Sequence, residues 1–249
     1  RSTRKESSAA SDLYKRQIAY TIDYEDIPHF PVSTVEMHKG KLILGTIGEK
    51  KVVVMQGRFH YYEGYSMQEV VFPVRVMKLL GIERLFVSNA SGSLNPEYEV
   101  ADLMIIKDHI NLQYQNPLRG KNIDELGERF TDMSEPYDLE MIEKAEEIAK
   151  EKNIKVHTGV YVSVPGPNLE TKAEYRYLRL IGGDNVGMST VPEIIAARHM
   201  EIPCFAISVI TDIGVPERVK KINIPEIIAA AYKAEPLMTE LIKSLVISY

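Results

Sequence analysis

Short apolar runs alternate along this chain with longer stretches whose apolar residues recur at helical spacing. Runs such as residues 52–55 and 204–210 predict buried strands, and the periodicity of residues 66–80 and 137–152 predicts helices packed on a sheet. This repeat of strand and helix predicts a single α/β domain, with a mixed, mostly parallel twisted sheet flanked by helices.

The local signals place the remaining elements. Residues 41–47 and 51–55 are joined by a short glycine-containing turn and predict an antiparallel hairpin. Pro73 and Pro236 are expected to bend or divide the helices that contain them. Capping-box spacings predict that helices begin at Thr171 and Thr190. Further strands are predicted at residues 84–88, 103–106, 160–164 and 185–189, and a last helix at 224–245.

Polar side chains follow several predicted strands at the points where those strands end. In an open α/β sheet the ligand crevice lies outside the carboxyl ends of the strands, so these side chains are expected to converge. Arg58 offers a fork of donors to an oxyanion, and an extended backbone would place His60 and Tyr62 on the same side. The converging residues are Arg58, His60, Asn89, Glu170, Met188, Ser189 and Asp212.

Composition and charge narrow the function classes. The 249 residues are 45% hydrophobic, and the net charge of −5 argues against a nucleic-acid partner. No run of about 18 apolar residues is present, so no membrane span is expected. A single cysteine excludes an intrachain disulfide and a cysteine-based zinc site, which favours a cytoplasmic location. Residues 1–17 differ from the rest and predict a disordered or non-native tail before a domain at 18–249.

Several motifs together resemble the trimeric purine nucleoside phosphorylases. The resemblance runs from about residue 24 to the end of the chain, with the motifs in the family's order. It implies reversible phosphorolysis of purine nucleosides such as inosine and guanosine to free purine and pentose 1-phosphate, in purine salvage, by a homotrimer with the nucleoside phosphorylase fold. The motifs occupy residues 57–64, 72–75, 88–92, 94–96, 108–111, 166–171 and 186–193.

The resemblance also implies roles for individual residues. No metal or organic cofactor is implied, and inorganic phosphate is the co-substrate. The implied catalytic residues are His60, Glu170 and Asp212. Tyr114 lies near a loop that, in the family, lends an aromatic residue to the neighbouring subunit's site. By similarity, Arg58, His60, Ala90 and Ser189 bind phosphate, Tyr62, Met188 and Tyr114 contact the ribose, and Ala90, Leu169, Glu170 and Asp212 contact the base.

Three departures from the family's pattern leave alternatives open. The strand and glycine-rich loop that open the family's domain are expected to be missing, which favours weakened phosphate binding or an inactive product that keeps the fold. Asp212 stands where enzymes specific for 6-oxopurines often carry asparagine, and Ile224 stands where many relatives carry a histidine. These two residues favour a methylthioadenosine or 6-aminopurine nucleoside phosphorylase as the alternative. A nucleoside hydrolase fits less well, since no aspartate-rich calcium motif is present and an anion site would not be needed.

Overall fold

The described part of the chain contains two β-sheets, a three-stranded antiparallel sheet and a five-stranded barrel. The structure is a computed structural model that describes residues 17–34, 39–221 and 223–249. The small sheet contains β1 (Ile18–Asp23), β2 (Lys41–Ile47) and β3 (Lys50–Gln56), in that order. The barrel, in the order β4-β7-β6-β5-β8, contains β4 (Leu85–Ser93), β5 (Leu103–Asn111), β6 (Val156–Ser163), β7 (Asn185–Gly187) and β8 (Cys204–Ile213).

The predicted hairpin is confirmed. β2 and β3 pair antiparallel across a two-residue turn, and Ile47 lies opposite Lys50. Gly48 supplies the positive φ of 59° that this turn requires. Gln17, which the sequence assigns to the tail, adjoins the small sheet because its carbonyl accepts the Thr46 N–H at 3.1 Å. The rest of the predicted tail, residues 1–16, lies outside the described residues.

The predicted mixed, mostly parallel sheet is confirmed. The closure of this sheet into a barrel was not predicted. β4 pairs parallel with β8, and β6 pairs parallel with both β5 and β7. Antiparallel contacts of β5 with β8 and of β4 with β7 close these strands into a barrel. Sequence periodicity reports which face of a strand is buried, and a closed barrel buries the same faces as an open sheet.

Two strands are longer than their apolar runs predict. The strand predicted at residues 84–88 continues to Ser93 in β4, and the run at residues 204–210 continues to Ile213 in β8. Small side chains at Ala90, Ser91 and Gly92 let this end of β4 stay paired with β8 while it borders a cavity. The predicted end of this strand at residue 88 is therefore wrong, because pairing with β8 continues past the apolar run.

Within the described residues, five helices surround the strands, and the two predicted capping boxes are confirmed. The N–H of Thr171 donates to Glu174 at 2.7 Å, and the N–H of Thr190 donates to Glu193 at 2.6 Å. Pro73 and Pro236 each lie inside one continuous helix, so neither divides its helix, and the bend that the sequence also predicts stays a prediction. Packing of each helix's buried face offsets the one lost hydrogen bond. The helices are α1 (Met67–Leu79), α2 (Leu139–Glu151), α3 (Lys172–Leu180), α4 (Val191–His199) and α5 (Ile224–Ile247).

The main hydrophobic core fills the barrel and the space under α2, α4 and α5. Met104, Tyr137 and Phe205 are fully buried there. Cys204, the only cysteine, is also fully buried at the start of β8, and burial raises the pKa of its thiol to about 12. This rigid core fixes the strands whose carboxyl ends carry the polar residues.

Candidate active site

A cavity of about 1990 Å³ lies beside β3 and β4 and receives polar residues from five strand ends. The predicted convergence is thus confirmed. Tyr114 is the exception among the predicted site residues, since it is 79% exposed and does not line this cavity. The predicted residues that line it are Arg58, His60, Tyr62, Ala90, Leu169, Glu170, Met188, Ser189 and Asp212.

Arg58 forms the centre of the cationic end. Its Nη1 donates to the Ser189 hydroxyl at 2.8 Å and to the Thr190 hydroxyl at 3.2 Å. Its Nη2 donates to the Ser88 carbonyl oxygen in β4, and its Nε lies 3.6 Å from a carboxylate oxygen of Glu193. The guanidinium therefore ties the loop after β3 to β4 and to the start of α4.

The turn before α4 holds its hydroxyl groups in an unusual backbone conformation. Thr190 has φ 72° and ψ −58°, a region that branched residues rarely occupy. The Glu193 carboxylate holds the Thr190 N–H, and the Asn89 side-chain amide donates to the Thr190 hydroxyl at 2.9 Å. Ser189 precedes the helix, so its hydroxyl and the helix end both favour an anion beside Arg58.

His60 and Tyr62 meet by a route that differs from the prediction. The backbone leaves the extended conformation at Tyr61–Glu63, which forms a 3₁₀ turn ended by Gly64 at φ 97°. The Glu63 carboxylate causes this by accepting both the His60 N–H at 2.8 Å and Nδ1 at 2.9 Å. The His60 and Tyr62 rings then stack with centroids 4.7 Å apart. Burial raises the pKa of the Tyr62 hydroxyl above its ordinary value, and the charge of Glu63 adds to this effect.

Two carboxyl groups form an acidic end of the cavity. Burial raises the pKa of Glu170, and the nearby Asp212 charge raises it further against hydrogen bonds that include the Tyr175 hydroxyl. Burial likewise raises the pKa of Asp212, although the Thr211 hydroxyl, 3.0 Å away, opposes the shift. Gly92 makes room for Asp212, since a Cβ there would lie 2.9 Å from its Oδ2. Both carboxyls thus hold protons to a higher pH than exposed ones would.

Met188 and Leu169 supply an apolar part of the cavity wall. A Cβ at Gly166, whose φ is 64°, would lie 2.3 Å from the Met188 sulfur, so the glycine allows Met188 its position. Leu169 is 41% exposed and lines the same cavity as Glu170. Ala90 lines it through the carboxyl-terminal part of β4.

Sequence reasoning missed three side chains that organise this site. Glu63 fixes His60, and its spacing of three residues from His60 was an available signal. Glu193 was identified only as a helix cap, although it also faces Arg58. Tyr175, buried beside Glu170, gives no sequence signal because α3 brings it there.

The described residues hold neither a cluster of three or more possible metal ligands nor a helix long and apolar enough to cross a bilayer. The site instead combines a cation with hydroxyl groups at one end, two buried carboxyls at the other, and a stacked His–Tyr pair. Such a cavity can hold an anion against one side of a ligand and donate protons or hydrogen bonds to the other side.

Comparison with known proteins agrees with this geometry. Residues 8–247 match the family model described as the phosphorylase superfamily. Purine nucleoside phosphorylase 1 of Bacillus subtilis is 50% identical over 228 residues, covering 92% of this chain and 84% of the relative. The mouse purine nucleoside phosphorylase is 48% identical, with 91% and 82% covered.

Solved structures give the same result. The Schistosoma mansoni purine nucleoside phosphorylase in complex with inosine superposes with a TM-score of 0.89 at 44% identity, covering 96% of this chain and 85% of the other. The same enzyme in complex with adenosine gives a TM-score of 0.88, with 94% and 85% covered. The chain therefore belongs to the phosphorylase superfamily and, within it, to the purine nucleoside phosphorylases, which are pentosyltransferases.

Proposed function

We propose that this protein cleaves the glycosidic bond of purine nucleosides such as inosine and guanosine with inorganic phosphate, releasing free purine and pentose 1-phosphate in purine salvage. The observation that carries the proposal is the pairing, in one cavity, of the Arg58–Ser189 cluster with the Glu170–Asp212 carboxyls. The relatives' names and the inosine-bound Schistosoma structure support the same activity.

Phosphate binds at the cationic end. Arg58, the Ser189 hydroxyl, the Ala90 N–H and His60 act together on its oxygens, with Glu63 holding the His60 ring in place. Breaking the bond builds positive charge on the sugar, and a dianion below the anomeric carbon stabilises that charge. Phosphate then adds to that carbon as the base leaves with the bonding electron pair. Tyr62 and Met188 contact the ribose between the two ends.

The departing purine binds at the acidic end. Negative charge develops on its ring, so a hydrogen bond to N7 and a partner for N1–H lower the barrier. Protonated Asp212 donates to N7, ionised Glu170 accepts from N1–H, and Leu169 lies against the base with Ala90. A hydrogen bond to a charged group contributes about 1.5–3 kcal/mol, or about 10–100-fold in rate if made only in the transition state.

A second substrate class has specific support. An ionised Asp212 accepts a hydrogen bond from a 6-amino group, and Ile224, 59% exposed at the start of α5, offers no polar partner to a ribose 5′-hydroxyl. The Schistosoma relative has also been solved in complex with adenosine. Adenosine and methylthioadenosine are therefore the competing substrates to compare with inosine.

The remaining expectations form part of the proposal. A homotrimer is supported by Tyr114, which is exposed and free to reach a neighbouring subunit's ribose site. A cytoplasmic location is supported by the single buried thiol. The reaction requires no metal or organic cofactor, because phosphate and the carboxyls supply the charges that it needs.

Inosine cleavage by the purified chain, with and without phosphate, tests the proposal. We expect hypoxanthine and ribose 1-phosphate in equal amounts only when phosphate is present. Arg58→Met should abolish saturation by phosphate, while Arg176→Met, the same change at an exposed arginine of α3, should not. Phosphate-independent release of hypoxanthine would identify a hydrolase. Absence of cleavage of any purine nucleoside at high phosphate would refute the activity.

A further inference from the structure

Two carboxyls line the acidic end of the cavity, and one proton between them can lie on either. We propose that Tyr175, which does not line the cavity, is a positioning residue that places this proton on Asp212 and thereby favours 6-oxopurines over 6-aminopurines. The inference rests on the proposed function, because it takes purines as the ligands of Glu170 and Asp212.

The two positions of the proton match different bases. Inosine carries a donor at N1–H and acceptors at O6 and N7, so it fits an ionised Glu170 and a protonated Asp212. Adenosine carries an acceptor at N1 and a donor at its 6-amino group, so it fits a protonated Glu170 and an ionised Asp212. The preferred base therefore depends on which carboxyl holds the proton, with no change in the shape of the cavity.

Burial and repulsion disfavour the state in which both carboxyls are ionised. Both are partly buried and line the same cavity, and burial raises the pKa of each. The charge of Asp212 raises the pKa of Glu170 further, and Glu174 adds to this effect from α3. Two like charges in a poorly hydrated region therefore keep one proton between them.

Tyr175 lies beside Glu170 without reaching the cavity. α3 begins two residues after Glu170, and the Tyr175 N–H donates to the Thr171 carbonyl at 2.9 Å in the first turn. The side chain is 3% exposed, and its hydroxyl is hydrogen-bonded to the Glu170 carboxyl. Burial and the charges of Glu170 and Asp212 raise the pKa of this hydroxyl, so it keeps its proton and donates it to the carboxylate.

The turn after β8 holds the Tyr175 ring in place. A Cβ at Gly214 would lie 2.5 Å from Cε1 and 2.6 Å from Cδ1 of the ring, so the ring packs directly on this backbone. The Gly214 N–H donates to the Ser93 carbonyl at 2.7 Å, which fixes the turn two residues after Asp212. The phenol is therefore held where it stabilises the ionised form of Glu170.

Asp212 has a weaker counterpart of this donor. The Thr211 hydroxyl lies 3.0 Å from Oδ1 of Asp212, but it also lies 3.3 Å from the Ser91 carbonyl oxygen. A hydroxyl has one proton to donate, so these two acceptors compete for it. Without the Tyr175 hydroxyl, burial and the Asp212 charge would favour the proton on Glu170.

Free bases test this selection without turnover. Hypoxanthine and adenine, which carry the base edges of inosine and adenosine, are titrated into the full chain by isothermal calorimetry at neutral pH. Tyr175→Phe keeps the ring and removes the hydroxyl, and Tyr177→Phe is the same change at a 52% exposed position of α3. Gly214→Ala displaces the ring but keeps the hydroxyl, and Thr211→Val removes the donor to Asp212. Thermal melts check that each variant is folded.

We expect the preference for hypoxanthine over adenine to fall at least about tenfold in Tyr175→Phe, because the lost hydrogen bond is made to a charged group. Gly214→Ala should shift the preference in the same direction and carries the test if Tyr175→Phe does not fold. Thr211→Val should shift it in the opposite direction, and Tyr177→Phe should leave it unchanged. The ratio of kcat/KM for inosine to that for adenosine should follow the same order.

A purely structural lesion would weaken the binding of both bases alike. An unchanged preference in Tyr175→Phe and Gly214→Ala, or equal shifts in Tyr175→Phe and Thr211→Val, would therefore overturn this role while phosphorolysis of inosine continued. Shifts in the expected directions in a chain that cleaves no nucleoside would refute the proposed function and leave the role of Tyr175 standing.

Discussion

The Asp212→Asn variant gives the sharpest test of how the base is recognised. Asp212 is buried, its pKa is raised, and the Thr211 hydroxyl holds its Oδ1 at 3.0 Å. Inosine presents two acceptors on this side, N7 and O6, so only a protonated carboxyl can donate to it. Adenosine presents N7 and an amino donor, so both forms of the carboxyl have a partner. The preference between the two nucleosides should therefore depend on pH.

The raised pKa of Asp212 determines in which direction the preference for inosine changes with pH. Because the pKa of Asp212 is raised, the proton stays bound at mildly acidic pH and is lost as pH rises through that pKa. Inosine then loses a hydrogen bond worth about 1.5–3 kcal/mol, so kcat/KM should fall about 10–100-fold relative to adenosine. Asparagine donates at every pH, so the variant should keep the same ratio throughout and cleave inosine faster at high pH.

The assay measures kcat/KM for both nucleosides at saturating phosphate between about pH 5 and pH 9, a range that covers raised carboxyl pKa values. Unfolding in urea at each pH is the control. A carboxyl whose pKa is raised in the folded state costs no stability below its ordinary pKa and destabilises the folded state as pH rises through the raised pKa. Asp212→Asn removes that cost, so the variant should unfold no more easily at high pH. A ratio that is independent of pH in the unmodified chain, or equally dependent in the variant, would refute this assignment.

The remaining predictions separate the parts of the site. Ser189→Ala removes a partner of Arg58 and should raise the phosphate KM about fivefold to tenfold with little change for nucleoside. Gly166→Ala forces Met188 to move and should show the opposite pattern in initial-rate kinetics, a raised nucleoside KM at constant phosphate KM. Glu63→Ala removes four hydrogen bonds from a carboxylate that is 1% exposed, and should lower the free energy of unfolding in urea by about 2–3 kcal/mol at neutral pH.

Each of these predictions has a control. Hydrogen bonds from Thr34 and His60 overcome the effect of burial and lower the pKa of Glu63, so its contribution should vanish as pH falls through that lowered pKa. A stability deficit in Glu63→Ala that persists at low pH would contradict this cause.

Gly182→Ala, at φ 107° with no neighbour within 4 Å, shares the backbone cost of Gly166→Ala and should leave both KM values unchanged. Parallel changes in both KM values would contradict the separation.

Much of the site could be predicted because the chemistry lies at strand ends. Arg58, Glu170 and Asp212 each follow an apolar run. Because ligands bind at the carboxyl ends of strands, the sequence predicts that these three residues lie in one site. The caps at Thr171 and Thr190 were equally local signals, read from a spacing of three residues. These features depend on short stretches of chain, which periodicity and spacing describe well.

The parts that could not be predicted depend on distant contacts. The Glu63 carboxylate, which fixes His60, also accepts hydrogen bonds from the remote Thr34, and sequence spacing does not report that contact. The extension of β4 past Ser88 depends on pairing with β8, which lies more than one hundred residues away. Barrel closure depends on a few antiparallel contacts of β5 with β8, and these leave no trace in periodicity.

The burial of Cys204 gives this protein a built-in reporter of its own opening. A thiol that is fully buried and ionises only near pH 12 cannot react with an alkylating reagent while β8 stays in the barrel. The alkylation rate at neutral pH is therefore proportional to the fraction of molecules in which the barrel is open. Because the chain has a single cysteine, the signal comes from one known place. Slower labelling in the presence of phosphate or nucleoside would measure how strongly each ligand holds the barrel closed, without any catalytic turnover.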